Sequence, residues 1–254
     1  MKLMFLGSGS AFSSSADNFQ SNMLLHGSGC DRSMLIDAGT DLPRSLAAAG
    51  RSHRDVNDLY ISHLHADHTG GLEYLGFSTY FDPVCERPRL FISESLVQPL
   101  WENTLRGGMG HVSDKETTLE TFFDVHPIAD GGGFEWCGHH VRLVPTIHVR
   151  GADRIVHSYG LQIIDERSTL ITTDTRFEPD HLWPSLQSSD LIFHDCETTP
   201  YKTGVHAHYE ELRELPEETR AKMWLYHYQT GELPDARADG FLGFVQCGQV
   251  FDLS

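Results

Sequence analysis

The chain has 254 residues, 39% hydrophobic and 22% charged, with Lys+Arg 19 against Asp+Glu 36 and a formal net charge of −17. That length supports a large core, and the acidic balance with no basic run argues against a large nucleic-acid footprint, because phosphate contacts supply most of that affinity. A small anionic ligand held by metal ions or a few arginines stays compatible.

No apolar run approaches the roughly 18 residues of a membrane span, and the opening MKLMFLGSGS lacks the roughly 7–15-residue apolar core of a signal peptide. These features predict a cytoplasmic protein with no membrane partner. Short apolar runs predict strands at Lys2–Leu6, Asn22–His26, Met34–Asp37, Asp58–Ser62, Arg89–Ile92, His140–Thr146, Ser158–Ile164, Thr169–Thr173, Asp190–His194 and Met223–Tyr226. Helices are predicted over Asp41–Ala49, Thr69–Phe77, Glu94–Leu105, Pro179–Ser185 and Tyr209–Leu215, several opened by Asp, Thr or Pro. The alternation predicts one α/β domain over residues 1–254, its sheets covered by helices. Gly107–Gly110 and Asp130–Gly133 read as plain connections, with a mobile flap as the alternative. Cys30, Cys85, Cys137, Cys196 and Cys247 form no CxxC pair, which predicts free thiols, mostly small buried hydrophobes, in a reducing compartment.

The sharpest signal is SHLHADHTGG, Ser62–Gly71, directly after the apolar Leu59–Ile61. In extended chain His63 and His65 point to one side, because the strand period is two. Asp67 and His68 follow where the chain turns toward a helix, so all four donors aim at one small volume. Imidazole and carboxylate suit zinc, and also manganese or iron.

This HxHxDH pattern after a hydrophobic strand resembles the metallo-β-lactamase superfamily, and further motifs follow in order: Asp37 in IDAG, His148 after an apolar run, Asp174 in LITTDTRF and His227 in MWLYHY. The resemblance implies an α/β fold in four layers, an αβ/βα sandwich of two mixed β-sheets packed face to face with helices outside. It implies two divalent metal ions, zinc first and manganese as the alternative. One would take His63, His65 and His148, and the other Asp67, His68 and His227. Asp174 would bridge them, and Asp37 would orient a ligand from behind.

The branch is narrowed by other segments. True β-lactamases often place Cys where Asp174 stands. LGSGSAFSSSADNFQSNMLL, the HSYG of His157–Gly160, and HDCETTPYKTGVHAHYEEL are similar to the ribonuclease-Z-like phosphodiesterases. That similarity implies that His206 protonates the leaving oxygen with Asp195 orienting it, or that His208 is the acid and His206 its support. The basic arm of the transfer-RNA enzymes has no room, since the interval from His148 to Asp174 is only 174 − 148 = 26 positions. The chain therefore looks closest to the anti-Pycsar type enzymes, which open 3′,5′-cyclic nucleotide monophosphates such as cCMP and cUMP to linear monophosphates, by attack of a metal-bound hydroxide. PhnP-type opening of a cyclic ribose phosphate and ribonuclease-Z-like cutting of tRNA 3′ ends are the alternatives. A thioester or lactone hydrolase is a further one, disfavoured because VPTIHV lacks a Gly-His-Thr context. The resemblance also implies a small phosphodiester as partner and a homodimer. Phe77, Tyr80, Phe81 and Trp101 read as helix packing, with a base-binding wall as the alternative. Arg106 and Arg150 read as solvated, with a phosphate contact as the alternative.

Overall fold

Alternation along the central strands sends apolar side chains to two different cores. In Asp58–Ile61, Tyr60 joins one cluster while Leu59 and Ile61 join another; in Leu191–Asp195, Phe193 and Ile192 divide in the same way. Strands apolar on both faces need cover on both. A computed structural model, which describes residues 1–253, provides it with two seven-stranded sheets packed face to face. The first runs in the order Val250–Asp252, Lys2–Phe5, Met23–His26, Ser33–Ile36, Asp58–Ile61, Arg89–Ser93, Asp124–Ile128. The second runs Gly243–Phe244, Met223–Tyr226, Leu191–Asp195, Thr169–Ile171, Ile155–Ile164, His139–Arg150, Gly133–Trp136. Between them lie Phe5, Tyr60, Trp136, Phe193 and Tyr226. Leu42–Ala48 and Leu72–Phe81 cover the outside of the first sheet, and Pro179–Ser188 covers the second through Leu182 and Leu186. This is the four-layer αβ/βα sandwich implied by the sequence.

Each sheet has three antiparallel and three parallel junctions, antiparallel first in the order given for the first sheet and parallel first in that given for the second. The parallel strands of both halves end at the same rim, and chain leaving such ends is where α/β sheets build sites. No helix among the described residues is long and apolar enough to cross a membrane.

Two expectations need correction. Cys30 and Cys137 form a disulfide across a sequence separation of 107 residues. Each lies in a hairpin connection, one in each sheet, so only the face-to-face packing brings them together, and no local spacing signals the pair. Cys196 is buried as expected, while Cys85 and Cys247 are half-buried. Gly107–Gly110 is neither open loop nor flap, because Arg106–Met109 continues the preceding helix, pinned by buried Met109. A Cβ at Gly108 would come within 2.2 Å of the Glu73 carboxylate, which would have to swing aside. Asp130–Gly133 is a tight connection with Gly131 at φ 69°.

Away from the rim, Asp58 is fully buried and accepts paired hydrogen bonds from Arg32 (2.9 and 2.6 Å) and Arg89 (2.6 and 2.9 Å), plus one from the Trp136 indole at 2.8 Å. Burial alone would raise its pKa, but these donors outweigh it and hold it down at about 2. The folded-state value lies below the unfolded one of about 3.9. The stabilisation is therefore complete above pH 4 or so and is lost as pH falls toward 2. Asp58→Ala strands two guanidinium groups and is expected to cost about 3–5 kcal/mol, seen as a lower urea midpoint and a flatter acid limb. An unchanged midpoint would contradict this.

Candidate metal centre

Five of the residues singled out in the sequence leave the ends of parallel strands: Asp37 after Ser33–Ile36, His63 after Asp58–Ile61, Asp174 after Thr169–Ile171, Asp195 at the end of Leu191–Asp195, and His227 after Met223–Tyr226. Asp37 (φ 61°), Thr173 (φ 52°) and His227 (φ 64°) are in the left-handed region, which side chains with a Cβ avoid. Such strain persists where surrounding structure enforces it, and it gathers at functional sites. His148 comes instead from the long strand His139–Arg150, where the ladder shifts register between Ile147 and Val149. A bulge re-aims a side chain in this way.

His65 is extended and stands at the N-cap position of the helical turn Ala66–Thr69 that carries Asp67 and His68. The His65 Nδ1 atom is 3.0 Å from Nε2 of both His63 and His148. On the other side, Asp67 Oδ2 lies 3.2 Å from His68 Nε2 and 3.3 Å from His227 Nε2. Asp174 stands between the groups, with Oδ2 3.3 Å from His68, 3.6 Å from His148 and 3.7 Å from His63, and Oδ1 3.6 Å from His227. Two sets of donors therefore converge, His63, His65, His148 and Asp174, and Asp67, His68, Asp174 and His227, each small enough to enclose one cation.

The outer nitrogens are anchored. His68 Nδ1 donates to Asp37 at 2.7 Å, and the same carboxylate accepts from the Ser62 amide and hydroxyl at 2.8 Å each. His148 Nδ1 donates to the Val205 carbonyl at 2.9 Å, and His63 Nδ1 lies 3.1 Å from the Ser62 hydroxyl and 3.4 Å from that of Ser158. Each anchor leaves Nε2 with its lone pair turned inward, the arrangement that fixes tautomer and direction in metal ligands. Ser62, Ser158 and Val205 lie inside the quoted motifs but were not singled out, since their anchoring role exists only in the fold.

The electrostatics demand positive charge. Buried Asp67, Asp174 and Asp195 have no Lys or Arg partner among the described residues. Burial pushes His63, His65 and His148 below the ordinary imidazole pKa, so they are neutral donors. Burial opposes the charged form of His68 and His227 too, but Asp174 above all raises both well above it. Asp174 itself is held well below the carboxylate range, where the charges of His227 and His68 outweigh burial. His68 Nε2 and Asp174 Oδ1 are buried with no hydrogen-bond partner. Neutral imidazoles, anionic carboxylates and inward-facing orphan atoms fit divalent cations, whose binding would displace the protons of His68 and His227.

Beside this cluster, Asp195 accepts from His206 Nδ1 at 2.8 Å and from the Thr175 amide at 2.9 Å, and its other oxygen lies 3.4 Å from His227 Nδ1. His206 Nδ1 is 3.9 Å from Asp174, and its ring is 5.0 Å from that of His148. His208 does not reach the cluster. Its Nε2 donates to the Thr199 carbonyl at 2.9 Å, and its Nδ1 accepts from the Glu210 amide at 3.2 Å, capping the helix Tyr209–Leu212. Of the two histidines weighed as the acid, only His206 lies beside the cluster. Arg106 and Arg150 are paired with Glu102 and Glu178. Phe77 and Tyr80 pack on Phe122, Phe77 stacks on Phe81, and Trp101 lies against the outer core of the first sheet, so this group is helix packing.

Comparison with known proteins fits this geometry. The family described as Anti-Pycsar protein Apyc1 matches residues 1–251. A relative named Anti-Pycsar protein Apyc1 from Paenibacillus harenae is 39% identical over 234 residues, covering 90% of each chain. Among solved structures, a diphosphatase of the PhnP family superposes with a TM-score of 0.77 at 19% identity, over 100% of this chain and 98% of that one. The metallo-β-lactamase-fold protein YhfI from Bacillus subtilis gives 0.76 at 18% identity, over 98% of both. With its converging His and Asp donors, the chain belongs to the Anti-Pycsar Apyc1 family and is a metal-dependent hydrolase of the metallo-β-lactamase fold, of phosphodiesterase type.

Proposed function

We propose that this chain opens 3′,5′-cyclic nucleotide monophosphates to linear monophosphates, using two divalent ions, zinc first and manganese as the alternative. One ion is assigned to His63, His65 and His148, the other to Asp67, His68 and His227, and Asp174 is shared. When bound, such ions lower the pKa of water and balance negative charge on phosphoryl oxygens.

The observation that carries the reading is the His206–Asp195 pair, 2.8 Å apart, held against the shared carboxylate. Asp195 accepts the hydrogen bond of the His206 Nδ1–H, which leaves Nε2 as the atom that holds and delivers a proton. Burial would discharge the ring, but the Asp195 charge and hydrogen bond overcome it and raise the pKa above the ordinary value. A protonated imidazole beside a phosphodiester suits donation to a departing ribose oxygen. Asp37, Val205 and the two serines keep the ligand rings directed without moving. The hairpin His139–Arg150 to Ile155–Ile164 closes through four residues, 151–154, which supports a small substrate over a whole tRNA. The acidic surface supports the same choice. The reading includes a cytoplasmic homodimer as the working form, as the resemblance in the sequence implies.

The test is turnover by metal-loaded protein of 3′,5′-cyclic CMP, UMP, AMP and GMP beside a 3′-extended tRNA and a thioester. Conversion of a cyclic nucleotide to its linear monophosphate is the expected result. Cleavage of tRNA alone, or of the thioester alone, would replace the reading.

A further inference from the structure

A cavity of about 570 Å³ opens directly beside the metal centre, with His63 and His65 forming its inner edge. Two elements wall it. One is the helix Glu94–Pro99, which after Pro99 winds more loosely as a π-helix over Leu100–Leu105. Single stretches of this winding recur at functional sites because they turn side chains off the ordinary helical register. Here Pro99, Asn103 and Thr104 all reach the cavity. The other wall is the end of the long hairpin, where Arg154, Ile155 and Val156 overhang the cluster just past His148.

The lining is of mixed character. Leu64, Leu96, Pro99 and Ile155 present apolar surface, and Ile155 is 43% exposed despite its position beside a polar centre. The Ser95 and Tyr159 hydroxyls satisfy each other at 2.9 Å. Asn103 and Thr104, by contrast, have no hydrogen bond from their side chains among the described residues. Arg154 lines the mouth and makes no ion pair among the described residues. A flat ring with apolar faces and a polar edge matches these walls, and sites for small molecules have this volume and mixture. A ribose phosphate alone would leave the aliphatic walls in water.

We infer that this cavity seats the nucleobase, gripped between Ile155 on the hairpin and the Pro99–Thr104 face, with the Asn103 amide meeting the base edge and Arg154 drawing in the anion. The inference rests on the cyclic-nucleotide reading above and assigns the part of that substrate which the metal cluster does not touch. It places the base on the His63–His65 side, away from His206.

Asn103→Trp and Ile155→Trp fill the cavity from opposite walls, and both residues are exposed, so the fold tolerates the change; melting curves check this. In metal-loaded protein, kcat/KM is measured for 3′,5′-cyclic CMP and AMP and for methyl p-nitrophenyl phosphate, a diester with no base. In both variants the cyclic nucleotides are expected to lose about tenfold or more relative to the small diester, carried by KM. Equal effects on both kinds of substrate, or no effect on the nucleotides, would overturn the assignment while leaving the substrate reading intact. Wild-type protein that cleaves the small diester but no cyclic nucleotide would remove the reading itself, and the occupant with it.

Discussion

Asp174→Ala is expected to lose bound metal and hydrolysis together. Asp174 belongs to both donor sets, and its oxygens lie 3.3–3.7 Å from the inward nitrogens of His63, His68, His148 and His227. Removing it takes one donor from each set and a full negative charge from a site with no Lys or Arg to balance. The loss in kcat/KM should reach about 10³-fold or more, since electrostatic stabilisation of this kind is commonly the largest single contribution. Elemental analysis of the purified variant should show less than the wild-type metal content. Asp174→Asn keeps the shape without the charge and should be nearly as damaging. Wild-type metal content with turnover within about threefold would contradict a shared role for this carboxylate.

His206→Ala is expected to separate chemistry from metal content. Its side chain lies outside the sets built around His63 and Asp67 and groups instead with Asp174, Asp195 and His227; with its Nδ1 engaged by Asp195, metal analysis is expected to match the wild type while kcat falls about 10²–10⁴-fold. The pH profile gives the sign. An acid must hold its proton, so activity declines as pH rises through the His206 pKa, which Asp195 keeps above the ordinary imidazole value. The variant should lose that alkaline limb, and Asp195→Asn should move it toward lower pH. A p-nitrophenyl ester, whose leaving oxygen needs no proton, should be spared most of the loss. A fall in metal content equal to the fall in rate would make His206 a ligand instead.

What the sequence disclosed follows from how local each signal is. His63, His65, Asp67 and His68 are legible because four donors fall within six residues behind one apolar strand. His148, Asp174 and His227 are isolated residues, readable only from their order after apolar runs and from resemblance to a family. The central strands were legible for the same physical reason that they are central: burial on both faces makes them continuous apolar runs. The edge strands were not. Asp124–Ile128, Gly133–Trp136, Gly243–Phe244 and Val250–Asp252 flank the two sheets, and all are missing from the predicted set. Edge strands can be short, half-exposed and interrupted by proline, as Pro127 is here, so their composition resembles a loop. The predicted helix Glu94–Leu105 starts at the right residue but runs on through Arg106–Met109, and it loosens after Pro99, where the missing amide breaks the regular ladder. Arg154 went unnoticed beside Arg106 and Arg150, because its place at the mouth of the cavity exists only in the fold.

The mirrored sheets have a consequence for folding equilibrium. Four donors, His63, His65, Asp67 and His68, hang from the first sheet, and three, His148, Asp174 and His227, from the second. Any opening that parts the sheets abolishes both donor sets at once, so a cation binds the closed form and not the parted one. By mass action, free metal at about a hundred times its dissociation constant would favour the closed form by about 2.7 kcal/mol. For this chain a chelator is therefore expected to act also as a denaturant, and free divalent metal to help set how much of the protein is folded.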